Sequence, residues 1–167
     1  MEALEMLFTR YSCREFQKKD VEEEKIHTIL RAGMSAPSAR NMRPYHIIVM
    51  KDRNVIESVS KTSVGKNLMN RANVCFAIVG DLNINPVYEF VLNDTSSVIT
   101  NMLNAAHALG LVACWCGQRR DDDHLVKDVL NLGDKQFVAG FIALGYPAQK
   151  KEQIDHYDEK KIHIDRF

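Results

Sequence analysis

The nine residues Pro37-Ser38-Ala39-Arg40-Asn41-Met42-Arg43-Pro44-Tyr45 decide the fold of this chain, because they separate a helical pattern from a strand-like one. Each proline fixes its own φ and disfavours helix in the preceding residue, so we predict an ordered, non-helical loop, the proline loop. The side chains of Ser38 and Asn41 can form hydrogen bonds with backbone groups or with a ligand. The guanidinium groups of Arg40 and Arg43 can bind anions or flat rings. A helix-to-strand connection that is polar for solvation alone also fits this composition.

Before the loop, apolar residues recur at helical spacing over residues 21–34, and Asp20 with Glu23 three residues later resembles a capping box. This pattern predicts a helix that leads into the proline loop. Residues 2–9 carry a second, shorter helical stripe. Between the two helices, residues 10–14 (the arginine segment, Arg10-Tyr11-Ser12-Cys13-Arg14) set two guanidinium groups beside a hydroxyl, which suits a phosphate. A solvated turn with incidental arginines is the alternative.

After the loop, strand-like and helical patterns interleave, so we predict an α/β or α+β sandwich with one sheet. The predicted strands cover residues 46–50, 74–80, 111–117 and 137–144, and the predicted helices cover residues 55–61, 87–109 and 121–130. A short polar break over residues 63–67 is followed by one or two turns of helix to about residue 71. The helix over residues 87–109 is expected at the centre, with Gly110 just beyond its end. Residues 161–166 alternate as an edge or exchanged strand would. No linker or repeat divides the chain, so residues 1–167 are expected to form a single domain.

The overall composition restricts the function. The chain has 167 residues, with 22 Lys and Arg against 22 Asp and Glu, so no global charge favours nucleic acid or an anionic membrane. No apolar window is long enough to span a bilayer, and residues 1–5 lack the pattern of a secretory signal. The four cysteines form no CxxC pair. We therefore expect reduced, mostly buried thiols in a cytoplasmic protein.

Several kinds of chemistry lack their sequence motifs. No Gly-x-Gly-x-x-Gly follows a strand, no P-loop occurs, and no Gly-x-Ser-x-Gly elbow is present. Cys114 and Cys116 would lie on one face of a strand, but a third and a fourth metal ligand are not evident, so no metal is predicted. A redox dithiol formed by these two cysteines stays open. No acid–base pair of side chains stands out either.

Four motifs together resemble the FMN-dependent nitroreductase family. The arginine segment is similar to that family's Arg-Arg-Ser-x-Arg, and residues 36–45 are similar to its Ala-Pro-Ser-x-x-Asn-x-Gln-Pro-Trp. Residues 94–117 resemble the family's long helix and the strand that follows it. Gly145-Tyr146-Pro147 matches the family's closing Gly-Tyr-Pro motif. The likeness covers nearly the whole chain in the right order. The chain is short for the family and lacks the long insertion over the substrate side, so an open site with broad acceptor tolerance is expected.

The resemblance implies an α+β fold: a three-layer sandwich with one mostly antiparallel sheet between helices, a C-terminal tail exchanged with a partner, and a homodimer with FMN at the subunit interface. The residues it implies for cofactor binding fall into four groups. They are Arg10, Tyr11, Ser12 and Arg14 at the phosphate and ribityl chain; Pro37, Ser38, Ala39 and Asn41 from the partner over the ring; Lys66 and Asn67 at the pyrimidine edge; and Cys116 and Gly117 near the reactive nitrogen. A cation near the pyrimidine edge favours the reduced flavin.

The function implied is an FMN-dependent NAD(P)H oxidoreductase, in which the flavin carries the chemistry and no catalytic side chain is assigned. Hydride would pass in two half-reactions to an electron-poor acceptor such as a nitroaromatic or a quinone. The alternatives are a flavin-binding protein without turnover, a flavin-fragmenting or dehalogenating relative, and a thiol redox protein that uses Cys114 and Cys116.

The chain departs from the family pattern at several positions. Tyr11 replaces the second arginine, Arg43 replaces the glutamine, and Tyr45 replaces the tryptophan. The basic pair that the family's tail brings to the phosphate is not in its usual place, and we expect Lys150 or Lys151 to substitute for it.

Overall fold

The computed structural model describes residues 2–62, 66–118, 123–149, 151 and 154–167, without the side chains of Lys66 and Asp123. The helices are α1 (Ala3–Thr9), α2 (Glu23–Met34), α3 (Arg53–Ser60), α4 (Lys66–Met69), α5 (Tyr88–Ala108) and α6 (Asp123–Leu130). The strands are β1 (Tyr45–Met50), β2 (Val74–Asp81), β3 (Val112–Cys116) and β4 (Gln136–Gly145). Short 3₁₀ turns cover Ala39–Asn41 and Glu159–Lys161.

The four strands form one antiparallel sheet in the order β1-β2-β4-β3. Strand β2 is a nearly continuous apolar run and is buried along its whole length, as expected for a central strand packed on both faces. Helices α2 and α5 pack on one face of the sheet, and α3, α4 and α6 contact each other and the opposite face. The predicted three-layer α+β sandwich is therefore confirmed.

Helix α5 is the central helix, as the sequence predicts. Its buried stripe includes Val98 and Met102, which lie against Gly33 of α2. A Cβ on Gly33 would come within 2.7 Å of Met102 Cγ, so a glycine is needed there for α2 and α5 to approach closely. The helix ends at Ala108, and Gly110 follows with φ of +74°, the left-handed conformation of a helix C′ glycine. No helix of the described residues is long and apolar enough to cross a bilayer.

Two local predictions are wrong. Helix α2 begins at Glu23 with Glu22 in the capping position, because the backbone of Glu22 is extended, so the capping box starting at Asp20 does not form. The polar break predicted over residues 63–67 is too long, because α4 begins at Lys66, whereas residues 63–65 lie outside the described residues. The proline loop is non-helical, as predicted, because Arg40 and Asn41 within its short turn have left-handed φ values of +53° and +54°. The start of the helix over residues 121–122 also lies outside the described residues.

The C-terminal tail forms no strand within residues 154–167. Ile162 and Ile164 are exposed, and the segment follows a 3₁₀ turn at Glu159–Lys161. A strand needs a neighbouring backbone edge to complete its hydrogen bonds, and this segment pairs with none in its own chain. The edge-strand interpretation is thus wrong for the single chain, whereas exchange of the tail with a second copy stays a prediction.

Candidate functional site

The arginine segment lies along the free edge of β3. Ser12 forms a parallel bridge with Ala113, and the Cys13 N–H donates to the Ala113 carbonyl at 3.3 Å. The Cys13 side chain is buried, whereas Arg14 is exposed and Arg10 is partly exposed. The fold therefore fixes the backbone of the segment and leaves its guanidinium groups at the surface, where they can bind an anion.

The charges of Arg14 and Lys151 act on the Cys114 thiol. A hydrogen bond with the Cys116 thiol lowers the pKa of Cys114; burial opposes this, and the charges of Arg14 and Lys151 and the Ser12 hydroxyl lower the pKa further. Ser12, Arg14 and Lys151 thus act on one point beside β3. Arg14 and Lys151 are both exposed, so their charges are also accessible to an anion at the surface. Lys151 is one of the two lysines expected to substitute for the family's basic pair, and Lys150 lies outside the described residues.

Cys114 and Cys116 share one face of β3, as predicted, and both are buried, with 4% and 3% of their surface exposed. The same hydrogen bond and burial raise the pKa of Cys116, so the first proton to leave this pair leaves Cys114. Because both thiols are buried, a bulky thiol substrate cannot reach them. Trp115 is on the opposite face, 40% exposed, with its indole beside Gly140, where a Cβ would collide with it.

Gly117 follows β3 directly and has open space beside it. A Cβ built on Gly117 would meet no heavy atom of the described chain within 4 Å. The packing of this chain therefore does not demand a glycine at this position, and a flat ligand could approach the backbone of Cys116 and Gly117 closely.

Helix α4 lies beside the arginine segment. The guanidinium of Arg71, just after α4, pairs with Glu15 and donates from Nε to the Asn67 carbonyl at 3.1 Å. The Asn67 side chain is exposed. Lys66 begins α4, but its side chain is outside the described part of the structure. The structure thus brings Asn67 to the same side of the molecule as the arginine segment.

The proline loop has a strained backbone. Arg40, Asn41 and Arg43 have φ values of +53°, +54° and +50°, a conformation that non-glycine residues adopt at a cost. Inside the loop, the Arg43 N–H donates to Ser38 Oγ at 3.0 Å, and Arg43 Nε donates to Asn41 Oδ1 at 3.0 Å. The side chains of Ser38 and Asn41 therefore accept hydrogen bonds from within the loop. Strained backbone of this kind concentrates at ligand clamps and switches.

Asp94 of α5 anchors the loop, a role that no sequence motif predicted. The Ala39 N–H donates to Asp94 Oδ1 at 2.9 Å. An open groove of about 300 Å³ lies between the loop and α5, lined in part by Pro37, Ala39 and Phe90. A signal was present in the sequence, because a carboxylate at position 94 interrupts the apolar stripe of α5 between Val91 and Val98.

The candidate residues form two groups at opposite edges of the sheet. The arginine segment, Asn67, Cys116 and Gly117 lie at the β3 side, whereas the proline loop leads into β1 at the other edge. Strands β1 and β3 are three strand spacings apart, about 14 Å. The structure therefore does not bring Ser38, Ala39 and Asn41 to the arginine segment of the same chain.

Asp81 holds the end of the proline loop. Its N–H donates to the Pro44 carbonyl at 3.0 Å. Its carboxylate accepts from Gln136 Nε2 at 2.9 Å and from the Asn83 N–H at 2.8 Å, and it lies 3.1 Å from His46 Nε2. This cluster joins the end of β2 to the starts of β1 and β4 and fixes where the loop enters the sheet.

We expect Asp81 to make stability depend on pH. Burial raises the pKa of its carboxyl, but hydrogen bonds from Gln136, Asn83 and His46 outweigh burial and lower it from 3.8 to about 2. Because the folded carboxylate holds its proton less tightly than the unfolded one, this contribution is complete above about pH 4 and is lost as the pH falls through about 2. Urea unfolding of Asp81→Asn should show a smaller loss of stability on acidification than the parent protein, whereas the exposed Glu89→Gln control should match the parent. Equal losses for the parent and Asp81→Asn would contradict this role.

The comparisons with known proteins cover nearly the whole chain. The sequence model of the nitroreductase family matches residues 7–72 and 61–146. A protein of Methanothermobacter thermautotrophicus, provisionally named NADH dehydrogenase/NAD(P)H nitroreductase, is 32% identical over 169 residues, covering 100% of this chain and 88% of the relative. A crystal structure with the same provisional name, from Bacteroides thetaiotaomicron, is 34% identical with a TM-score of 0.92, covering 99% of this chain and 98% of that one. An FMN-dependent nitroreductase of Clostridium difficile is 27% identical with a TM-score of 0.89, covering 98% and 99% of the two chains.

Proposed function

Since the chain belongs to the nitroreductase family, we propose that it is an FMN-dependent NAD(P)H oxidoreductase and that residues 1–167 form one flavin-binding domain. The observation that carries the proposal is the parallel bridge between Ser12 and Ala113, which places Arg10 and Arg14 at the β3 edge, on the strand that leads to Gly117 and the space beside it. Two cations and a hydroxyl fit the phosphate of FMN, and the space beside the Gly117 Cα fits the edge of a flat ring.

The residues of this chain would bind and orient the cofactor. Arg10, Ser12, Arg14 and Lys151 would hold the phosphate and ribityl chain, and the backbone of residues 116–117 would face the ring edge. Asn67, with Lys66, would bind the pyrimidine side. When bound, FMN supplies the two-electron chemistry that carries hydride from NAD(P)H to an electron-poor acceptor such as a nitroaromatic or a quinone.

The separation of the two groups of residues supports a site shared by two copies of the chain. The proline loop of one copy would cover the flavin held by the arginine segment of the other, so each homodimer would have two sites. Exposed apolar side chains on α1 and the tail, such as Phe8, Ile154 and Phe167, offer surface for the contact between copies. Exchange of the tail is part of the same proposal.

The test uses Trp115, the single tryptophan of the chain, which precedes Cys116 and Gly117. Flavin absorbs where tryptophan emits, so FMN added to flavin-free protein should quench the Trp115 fluorescence with saturation at one FMN per chain. Anaerobic NADH or NADPH should then bleach the visible flavin absorbance, and a quinone should restore it. Riboflavin, which lacks the phosphate, should bind much more weakly than FMN.

The outcomes separate the alternatives. FMN binding without bleaching by either nucleotide favours a flavin carrier, and absence of any FMN-induced quenching contradicts the proposal. Trp115→Phe should remove the fluorescence signal while leaving the visible spectrum of the bound flavin, which confirms the origin of the signal.

A further inference from the structure

We propose that Asp94 of α5 is a positioning residue, whose carboxylate holds the proline loop in the conformation that packs on the flavin. This inference rests on the proposed function for the ligand, but its first readout is the conformation of the loop itself. Asp94 lies within α5, where its carboxylate interrupts the buried apolar stripe of the helix. Its importance follows from how the loop is attached to the rest of the chain.

Asp94 supports the first part of the loop backbone, whereas β1 and Asp81 hold its end. Among the described residues, the bond from the Ala39 N–H to Asp94 Oδ1, 2.9 Å long, is the one hydrogen bond that joins residues 37–42 to another helix or strand. The other hydrogen bonds of residues 37–42 stay within the loop, such as that from the Asn41 N–H to the Ser38 carbonyl at 2.9 Å. A carboxylate acceptor makes the bond to Ala39 charge-assisted and about twice as strong as a neutral one.

The loop needs such a support because its backbone is strained. Arg40, Asn41 and Arg43 all have positive φ, a conformation that is unfavourable for arginine and better tolerated by asparagine. A segment with this strain relaxes to other conformations unless the surroundings determine it. The bond from Ala39 to Asp94 lies directly before the strained residues, where it can fix their start. The internal bond from Arg43 to Ser38 closes the turn but does not orient it on the protein.

The burial of Asp94 gives a second, independent observation. The side chain is 6% exposed, and its Oδ2 atom is buried without a hydrogen-bond partner in the described chain. An unpaired buried oxygen of this kind destabilises the folded state, because it loses its hydrogen bonds to water. Val91 and Val98 show that apolar side chains fill the same stripe of α5 without that cost. The carboxylate is therefore unfavourable for helix packing alone, and its contribution is the bond to the loop.

The experiment compares Asp94→Ala and Asp94→Asn with Glu89→Gln, a control that removes a negative charge from an exposed position on the same helix. Hydrogen exchange is measured on flavin-free protein. We expect Asp94→Ala to speed exchange of the Ala39 amide at least about 10-fold, the effect of losing one charge-assisted bond. Amides of residues 98–108 should exchange as in the parent. Asp94→Asn keeps an acceptor oxygen and should be intermediate, and Glu89→Gln should match the parent.

FMN titration gives the second readout. The affinity of Asp94→Ala for FMN should fall about 10-fold, in step with the loosening of the loop. Parent-like exchange at Ala39 in Asp94→Ala would overturn the inference, and so would an equal rise across the whole of α5. If Asp94→Ala does not fold, parent-like exchange and affinity in Asp94→Asn would overturn it. If the parent itself binds no FMN, the proposed function fails, while the exchange comparison still decides the role of Asp94.

Discussion

Replacing both arginines of the arginine segment, in the variant Arg10→Ala/Arg14→Ala, is expected to weaken FMN binding by at least about 100-fold, because each charge-assisted hydrogen bond to a phosphate contributes about 1.5–3 kcal/mol. The binding should be measured by quenching of Trp115 and by the visible spectrum. The loss should be much smaller for riboflavin, because it has no phosphate for the arginines to hold. A larger loss of affinity for FMN than for riboflavin would therefore show that the two arginines bind the phosphate.

The matched control removes two positive charges elsewhere. Arg31→Ala/Lys51→Ala has the same net charge as the double arginine variant; both positions are exposed, Arg31 lies on α2, and Lys51 follows β1 at the opposite edge of the sheet from β3. This control should bind FMN as the parent does, since only local charges act strongly across water and salt. Circular dichroism should show both variants folded. An arginine double variant that binds FMN within about 3-fold of the parent would refute the phosphate site, because even one such bond contributes more.

Mixing two inactive variants should restore activity. We pair Arg10→Ala/Arg14→Ala, which lacks the phosphate site, with Ala39→Trp, whose indole would fill the space the ring needs under the proline loop. Each variant alone should be nearly inactive. In a mixed dimer, one site has both defects and the other has neither, because each site takes its arginine segment from one chain and its loop from the other.

The expected recovery has a definite size. After unfolding and refolding of an equal mixture, half of the dimers are mixed and each has one intact site, so about one quarter of the parent activity should return. Ala39→Trp alone, unfolded and refolded in the same way, should recover no activity. If the site lay within one chain, the mixed sample would stay as inactive as its components. This outcome would contradict the shared site while leaving the FMN chemistry intact.

Both predictions use residues that the sequence identified, but for different reasons. The chemical types in the arginine segment and the proline loop are visible in the sequence, because guanidinium, hydroxyl and proline each limit what a segment can do. The buried run at Val74–Asp81 identified β2 as a central strand, and helical spacing located α5. Local pattern was sufficient for these elements because each of them buries a face of its own.

The sequence could not place residues whose role depends on distant contacts. The tail over residues 161–166 alternates like a strand, but a strand forms only where a free backbone edge is available, and the sequence does not show such an edge. Asp94 appeared only as a charge within a helix, because its partner, the Ala39 N–H, is 55 residues away along the chain. The gathering of Arg14 and Lys151 around Cys114 is equally non-local.

The sequence alone therefore determined the layers of the fold, the order of its strands and helices along the chain, and the residue types able to bind a flavin. The tertiary structure decided where those residues lie: the arginine segment on the β3 edge, the proline loop at the β1 edge, and Asp94 beneath the loop. The physical reason is that periodicity and backbone preference act over a few neighbouring residues, whereas strand order and hydrogen bonds between distant segments depend on the packing of the whole chain.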